Sequence, residues 1–241
     1  MPEPADEPQR LSKVVAALVP CSRTQAEQYI TEGWVRVDGV RIEEPQARVT
    51  AQQQVVVDPQ AQLQPPVAVT LLLHKPAGLD STGAQALLGA TTRWSGDASG
   101  LRWTKRHAAG LLELVPLPRQ ASGLAVFSQD RGVVRKLREE AALVEQELVV
   151  EVSGTPVPDA LLRLARGLLH QGRPLPPMRV SWQSEARLRI AGKGVPLELL
   201  PWMCAQVGLG LTGLRRLRIG RVPMAGVPAG QWRYLPAGER F

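Results

Sequence analysis

The stretch Leu117-Pro118-Arg119-Gln120-Ala121-Ser122-Gly123-Leu124 constrains this chain more than any other. It leads into an apolar, strand-like segment, Leu124-Ala125-Val126-Phe127. A helix then opens at Asp130, a residue type that caps first-turn amides, with Val133, Val134 and Leu137 on one face. A turn, a buried strand and a capped helix in succession call for a sheet with a helix laid on it. The rest of the chain agrees. Thr70 to His74 is a short buried strand ended by Lys75-Pro76-Ala77-Gly78. Glu147 to Val152 alternates, with Leu148, Val150 and Val152 on one face. Pro158-Asp159 starts a helix expected to turn Leu161, Leu162, Ala165 and Leu168 inward, and Gly172-Arg173-Pro174 marks a turn. Arg187 and Arg189 share one strand face. In a later strand Leu217 and Ile219 share one face and Arg216 and Arg218 the other. Strands interrupted by helices, with hairpin-like turns and no internal repeat, predict an α+β fold around one antiparallel or mixed sheet flanked by helices.

The first 57 residues read as a separate, smaller module. Leu11, Val14, Val15 and Leu18 fall at i, i+3, i+4 and i+7 of an amphipathic helix ended by Pro20. Ser22 stands three residues before Gln25, a capping-box arrangement for a second helix with Ala26, Tyr29 and Ile30 inward and Gly33 as its stop. Asp38-Gly39 is a hairpin turn between the short strands Val35–Val37 and Val40–Ile42, and Gln54 to Val57 supplies one more strand. Asp58 to Val69, rich in Gln and Pro with a Pro65-Pro66 pair, reads as a semi-extended linker.

Charge narrows the partner. Lys+Arg is 29 against Asp+Glu 22, for a net +7; 24 of the basic residues are Arg and five are Lys. Guanidinium forks match phosphates and stack on bases, so an Arg-rich basic chain points to a polyanion, with plain solubility as the alternative. The charge is uneven. Residues 1–57 carry six basic and eight acidic side chains, the remainder 23 and 14. In residues 81–113, Arg93, Trp94, Arg102, Trp103, Lys105, Arg106 and His107 interleave rings and cations; a solvated loop with one or two Trp in the core is preferred over a base-stacking surface. Cys21 and Cys204 stand far apart, and His74, His107 and His170 are scattered, so neither a metal site, a cofactor nor a disulfide framework is expected. No signal peptide is read in the acidic, Pro-rich residues 1–9, and no run approaches a membrane span. The expected setting is the cytoplasm.

Six segments carry a family resemblance. Arg10-Leu11-Ser12-Lys13, Cys21-Ser22-Arg23-Thr24-Gln25-Ala26-Glu27 and Gly33-Trp34-Val35-Arg36-Val37-Asp38-Gly39 look like the S-four type RNA-binding domain, here residues 9–57. Lys75-Pro76-Ala77-Gly78 after a strand, Ala121-Ser122-Gly123-Leu124, and Arg218-Ile219-Gly220 through Gln231-Trp232-Arg233-Tyr234-Leu235 resemble the RsuA class of bacterial ribosomal-RNA pseudouridine synthases over residues 70–241, with 58–69 as linker. The resemblance implies structured RNA, ribosomal RNA in particular, as partner. It places Arg10, Lys13, Ser22, Arg23 and Gln25 toward phosphates. Lys75, Arg119, Arg216 and Arg218 are the expected contacts of the larger domain, and a monomer is expected.

The same resemblance defines what is missing. These synthases detach uracil from its ribose, rotate it and reattach it through carbon, on a base flipped out of the RNA. A carboxylate, already ionised at neutral pH, serves as nucleophile or base. The family signature is Arg-Leu-Asp, two variable residues, then Thr/Ala-Ser-Gly-Leu. Aligned on Ala121 to Leu124, its Asp falls on Pro118, which has no ionisable group. The family Tyr that packs on the base falls on Leu148. The family Arg that offsets the Asp falls near Pro201 in Leu199-Leu200-Pro201-Trp202-Met203, where the proline is expected to disfavour a regular helix. Asp97 and Asp130 are the replacement carboxylates to weigh. The leading expectation is a non-catalytic RNA-binding protein with the synthase fold. The alternatives are a working synthase with a non-standard site and a protein-interaction module that does not meet RNA.

Overall fold

A computed structural model of the chain describes residues 7–63, 67–224 and 226–241. Pro65-Pro66 of the linker and residues 1–6 of the acidic N-terminus lie outside the described residues. The chain divides into two compact units: residues up to Val67 with Arg102–Ala109, and Ala68–Leu101 with Gly110–Phe241.

In the first unit β1 (Gln9–Arg10) leads directly into α1 (Leu11–Leu18), and α2 (Arg23–Thr31) follows. The capping box forms. Ser22 Oγ accepts from Gln25 N at 3.2 Å, and Gln25 Oε1 accepts from Ser22 N at 2.9 Å. Strands β2 (Val35–Val37), β3 (Val40–Ile42) and β5 (Val55–Val57) make a three-stranded antiparallel sheet, and β4 (Arg48–Val49) pairs with β1. Asp38 and Gly39 both take positive φ, 49° and 79°, the backbone a two-residue hairpin with the right twist demands. Leu11, Val15, Ala26, Ile30, Val35, Val37 and Val49 close the core. The predicted α1 stripe needs one correction. Leu18 is 53% exposed and Ser12 is buried instead, because α1 is only two turns long and Leu18 is its last residue, beyond the packed layer. Within this unit the Arg102 guanidinium lies 4.2 Å over the Trp34 ring, and Lys105 Nζ binds Glu44 at 2.7 Å. These two cations of the ring-and-charge segment are therefore used internally.

The second unit is one mixed sheet with helices on it. Its strands are β6 (Thr70–Lys75), β7 (Leu112–Leu114), β8 (Ser122–Ser128), β9 (Glu145–Gly154), β12 (Arg179–Ser184), β13 (Arg187–Lys193), β14 (Leu209–Ile219), β15 (Val222–Pro223) and β16 (Trp232–Tyr234). The order is β12-β13-β9-β14-β8-β6-β16, with β7 on β8 and β15 on β14; β14 and β8 run parallel and the other pairs antiparallel. A small hairpin, β10 (Leu169–His170) and β11 (Arg173–Pro174), stands apart. Its turn is Gln171-Gly172, both at positive φ, so Arg173-Pro174 opens a strand rather than belonging to the turn. The helices are α3 (Ser81–Ala86), α4 (Arg131–Glu139), α5 (Ala160–Arg166) and α6 (Leu200–Ala205).

Helix α4 opens as expected, with Asp130 Oδ1 accepting from Val133 N at 2.9 Å, and it covers a core containing Leu72, Leu124, Val126 and Ile219. Two expectations need correction. Leu161 and Leu168 pack on the core as expected, but Leu162 does not. Asp159 is left-handed (φ 59°), so α5 starts at Ala160 and buries Ala160 and Leu164, leaving Leu162 47% exposed. In β14 a bulge at Leu217 intervenes between the pairs Arg216–Leu148 and Arg218–Glu147. The extra residue puts Arg216 and Arg218 on opposite faces, since a one-residue slip inverts every side chain beyond it. Finally, α6 does form across Pro201. The proline sits in the first turn, where its missing N–H has no intrahelical partner to lose and its fixed φ suits the helix.

Candidate functional site

Two places merit description, one in each unit. In the first, Gln9, Arg10, Ser12, Lys13, Ala16 and Arg23 line a concavity of about 510 Å³. Arg10 ends β1 and Lys13 lies in the first turn of α1, while Arg23 opens α2, so both helix starts contribute. Arg10, Lys13 and Arg23 are exposed; Arg23 also reaches Glu27 at 3.0 Å, an exposed i, i+4 pair of small energetic weight. Ser22 and Gln25 are exposed too, but their side chains are engaged in the capping box and order α2. Three of the five phosphate-facing candidates thus converge on one cradle. Ser12, buried at its floor, was not singled out in the sequence, where a serine beside an apolar stripe gives no signal.

In the second unit the centre is the turn at Pro118. Its carbonyl accepts from Ala121 N at 2.9 Å, closing a four-residue turn into β8. Gly78 N donates to Arg119 O at 2.8 Å, and Arg119 Nε donates back to Gly78 O at 2.9 Å, so the Lys75-Pro76-Ala77-Gly78 bend and this turn hold each other. Lys75 locks the junction. It is buried, and its Nζ donates to four carbonyls, those of Leu79 at 2.7 Å, Ala121 at 2.8 Å, and Pro76 and Arg119 at 3.2 Å. Burial lowers its pKa and neighbouring Arg216 adds to that, while Glu113 and Asp80 oppose. Arg216 is fully buried as well. It donates to Val115 O at 2.7 Å, Leu124 O at 2.8 Å and Gln146 Oε1 at 3.0 Å. Burial lowers its pKa too, yet a guanidinium titrates so high that it stays charged at neutral pH. Lys75 and Arg216 are therefore not the RNA contacts expected from the sequence: both are buried, and each of their donor nitrogens is bonded to the chain's own carbonyl or amide oxygens.

Leu117, beside Pro118, packs in one cluster with Ala121, Leu148, Val150, Leu200, Met203 and Cys204. Leu117 of the turn, Leu148 of β9 and Leu200 and Met203 of α6 thus belong to one buried apolar cluster. Burial pushes the Cys204 thiol up to about 11.

The first unit matches the S4 domain over residues 9–55. A solved pseudouridylate synthase shares the fold over 94% of this chain and 95% of its own, with a TM-score of 0.59 at 18% identity. Among characterised sequences, the dual-specificity RNA pseudouridine synthase RluF of Escherichia coli is 26% identical over 243 residues, covering 97% of this chain and 78% of that protein. Ribosomal large subunit pseudouridine synthase B of Bacillus subtilis is 28% identical over 169 residues, 70% of this chain and 66% of that protein. A putative chloroplastic ribosomal large subunit pseudouridine synthase of Arabidopsis thaliana is 27% identical over 228 residues, 89% of this chain; the chain spans about half of its length, 55%. The chain is an S4-domain homologue of the RsuA/RluF-type ribosomal pseudouridine synthases.

In this pseudouridine synthase homologue the strand arginines Arg179, Arg187, Arg189 and Arg218 form ion pairs on the sheet rather than an unneutralised basic surface. Arg187 pairs with Glu151 at 3.1 Å, Arg179 with Glu145 at 2.6 Å, and Arg189 with Glu147. Arg218 bridges Glu145 at 2.5 Å and Glu147 at 3.0 Å. Burial works against ionising Glu147, but hydrogen bonds from Arg218 and Arg189 outweigh it and hold its pKa below the usual carboxylate range. The face is a lattice of alternating charge. Arg218 is consequently a neutralised cation, and the sequence missed this because cross-strand register, which sets the partners, is not visible in a single strand. Among the described residues no cluster of His, Cys, Asp or Glu is arranged to hold a metal, and no helix is long and apolar enough to cross a membrane.

Proposed function

We propose that this chain is an RNA-binding protein with the synthase fold that does not isomerise uridine, and that it acts as a monomer on structured RNA, ribosomal RNA above all, in the cytoplasm. Residues 9–57 serve as the RNA-reading module, 58–69 as linker and 70–241 as the synthase-like body. Arg10, Lys13 and Arg23 hold phosphates, with Arg119 as an exposed contact on the body.

One observation carries the non-catalytic reading. The turn that presents a carboxylate in the family signature here presents Pro118, whose neighbour Leu117 belongs to the same buried apolar cluster as Leu148, Leu200 and Met203. A base flipped into that cluster would have to displace buried apolar side chains. The replacement carboxylates weigh against the active alternative. The Asp97 side chain is 2% exposed, paired with Arg93 at 3.0 Å and bound by the amides of Ser99 and Tyr234; Asp130 caps α4. Asp80 and Glu113 are the carboxylates that act on Lys75 beside the turn.

The test is to incubate purified protein with ribosomal RNA transcripts and map pseudouridine by carbodiimide reactivity. The expected result is none. Pseudouridine that disappears in Asp80→Asn or Glu113→Gln would overturn the non-catalytic reading. RNA affinity against salt tests the other half: a steep negative log–log slope is expected, and a flat one, or no binding at low salt, rejects an RNA role.

A further inference from the structure

The excess positive charge of the chain must reside where the fold leaves it unneutralised. The sheet face is not that place, since its arginines are paired with Glu145, Glu147 and Glu151. Helix α4 is. Arg131, Arg135 and Arg138 stand at i, i+4 and i+7, so they project from one side of the helix. All three are exposed, and none is ion-paired among the described residues; Lys136, off that line, is paired with Glu140 at 2.9 Å. The opposite side of α4 is anchored: Leu137 is buried, and Val133 and Val134 pack with it against the sheet. The arginine row is thus presented on a fixed support.

We propose that this face of α4, in the second unit, is a further RNA contact, taking the sugar-phosphate strand of a structured RNA. The proposal rests on the RNA-binding reading above. From Arg131 to Arg138 the helix rises roughly 10 Å. A nucleic acid strand advances about 3.4 Å per phosphate, so about three phosphates lie within that length. An acidic protein fits less well. The exposed residues of α4 are Arg131, Gly132, Arg135, Lys136, Arg138 and Glu139, with no apolar or aromatic side chain for an interface centre. Phosphate contacts need only guanidinium forks, and they position an RNA without reading its bases. The contact is therefore indifferent to sequence and sensitive to salt.

The experiment uses the full chain and a base-paired RNA hairpin, with affinity measured against potassium chloride. Three proteins are compared with the wild type: Arg131→Gln/Arg135→Gln/Arg138→Gln, the same three positions changed to Lys, and an S4-face variant, Arg10→Gln/Lys13→Gln/Arg23→Gln. The glutamine variant of α4 is expected to flatten the log–log slope by about two to three and to weaken binding about tenfold or more at low salt, with an unchanged Tm. The lysine variant is expected to restore the slope. An unchanged slope in the glutamine variant, while the S4-face variant weakens binding, overturns the α4 contact and leaves the RNA reading standing. No binding by the wild type rejects that reading itself, and the α4 contact with it. A glutamine loss that lysine does not restore overturns the proposal, because phosphate neutralisation needs the charge. A loss on polyglutamate with none on RNA assigns the helix to an acidic protein and overturns it as well.

Discussion

Arg216 lies directly opposite Leu148 on the β14–β9 ladder, and both side chains are completely buried. A cation thus faces into the unit beside a leucine, with no carboxylate bonded to it. Its three hydrogen bonds go to Leu124 O on β8, Gln146 on β9 and Val115 O in the segment that enters the Pro118 turn. One guanidinium ties three pieces of chain and so fixes where the turn begins.

Replacing it with an apolar side chain of similar length leaves those oxygens buried and unpaired. Arg216→Met is expected to cost about 3 kcal/mol or more, from leaving several buried acceptors unsatisfied. Urea unfolding measures this, and a loss below about 1 kcal/mol would show that the three bonds contribute little net stability.

Gly123 explains why a glycine stands in the Ala-Ser-Gly-Leu segment. Its φ is +105°, and a Cβ there would lie 2.7 Å from the backbone nitrogen of Arg216 and closer still to its carbonyl oxygen. Gly123→Ala must push β8 off β14 as well as strain the backbone. A loss of about 2–4 kcal/mol is expected, with aggregation on expression as the in vivo sign. Wild-type stability in this variant would mean the two strands have slack.

Cys204 makes alkaline stability sensitive to pH. Its pKa is raised from 9.0 to about 11 by burial. Below pH 9 both folded and unfolded thiols are protonated and stability is unaffected. Between pH 9 and about 11 the unfolded thiol ionises while the folded one holds its proton, so stability falls as pH rises. The two-unit gap bounds the loss at about 2–3 kcal/mol. Lys75, with a lowered pKa, works in the opposite sense, so the readout is the difference between wild type and Cys204→Ala across this range. Parallel curves for the two proteins would contradict the shift.

Pro118→Asp restores the signature carboxylate alone. It is expected to yield no pseudouridine in ribosomal RNA transcripts mapped by carbodiimide, because Leu148 offers no hydroxyl and the first turns of α6 carry Leu200, Trp202 and Met203 without an arginine. Measurable turnover would show that the surrounding pocket retains what catalysis needs.

Ser22→Ala removes one bond of the capping box and is expected to lower stability by about 1 kcal/mol. Far-UV circular dichroism and a thermal melt of the full chain check it. RNA affinity should fall little in that variant if Ser22 serves the helix and not a phosphate.

The elements most readable from sequence were those made by local chemistry. Ser22 with Gln25, Asp38 with Gly39, and Asp130 with Val133 each involve residues within three positions, so their geometry follows from the chain itself. Pro201 shows the limit of a local rule: proline at a helix start is compatible with the helix, and only the boundary at Leu200 tells start from interior.

What the sequence alone determined was the α+β class, the S4 domain and the absence of a carboxylate at Pro118, since each depends on residue types and short spacings. The fate of the charges depended on tertiary structure. Lys75 and Arg216 are as basic in sequence as Arg10 and Lys13, yet the first two are buried on carbonyls and the second two line an open cradle. Arg218, half-buried on a strand, has glutamates of a neighbouring strand within reach, whereas Arg131, exposed on a helix, has no ion-pair partner among the described residues. The physical reason is that a charge's role is set by its solvation and its partners. Strand register, a bulge at Leu217 and the phase of a helix assign those across long stretches of chain.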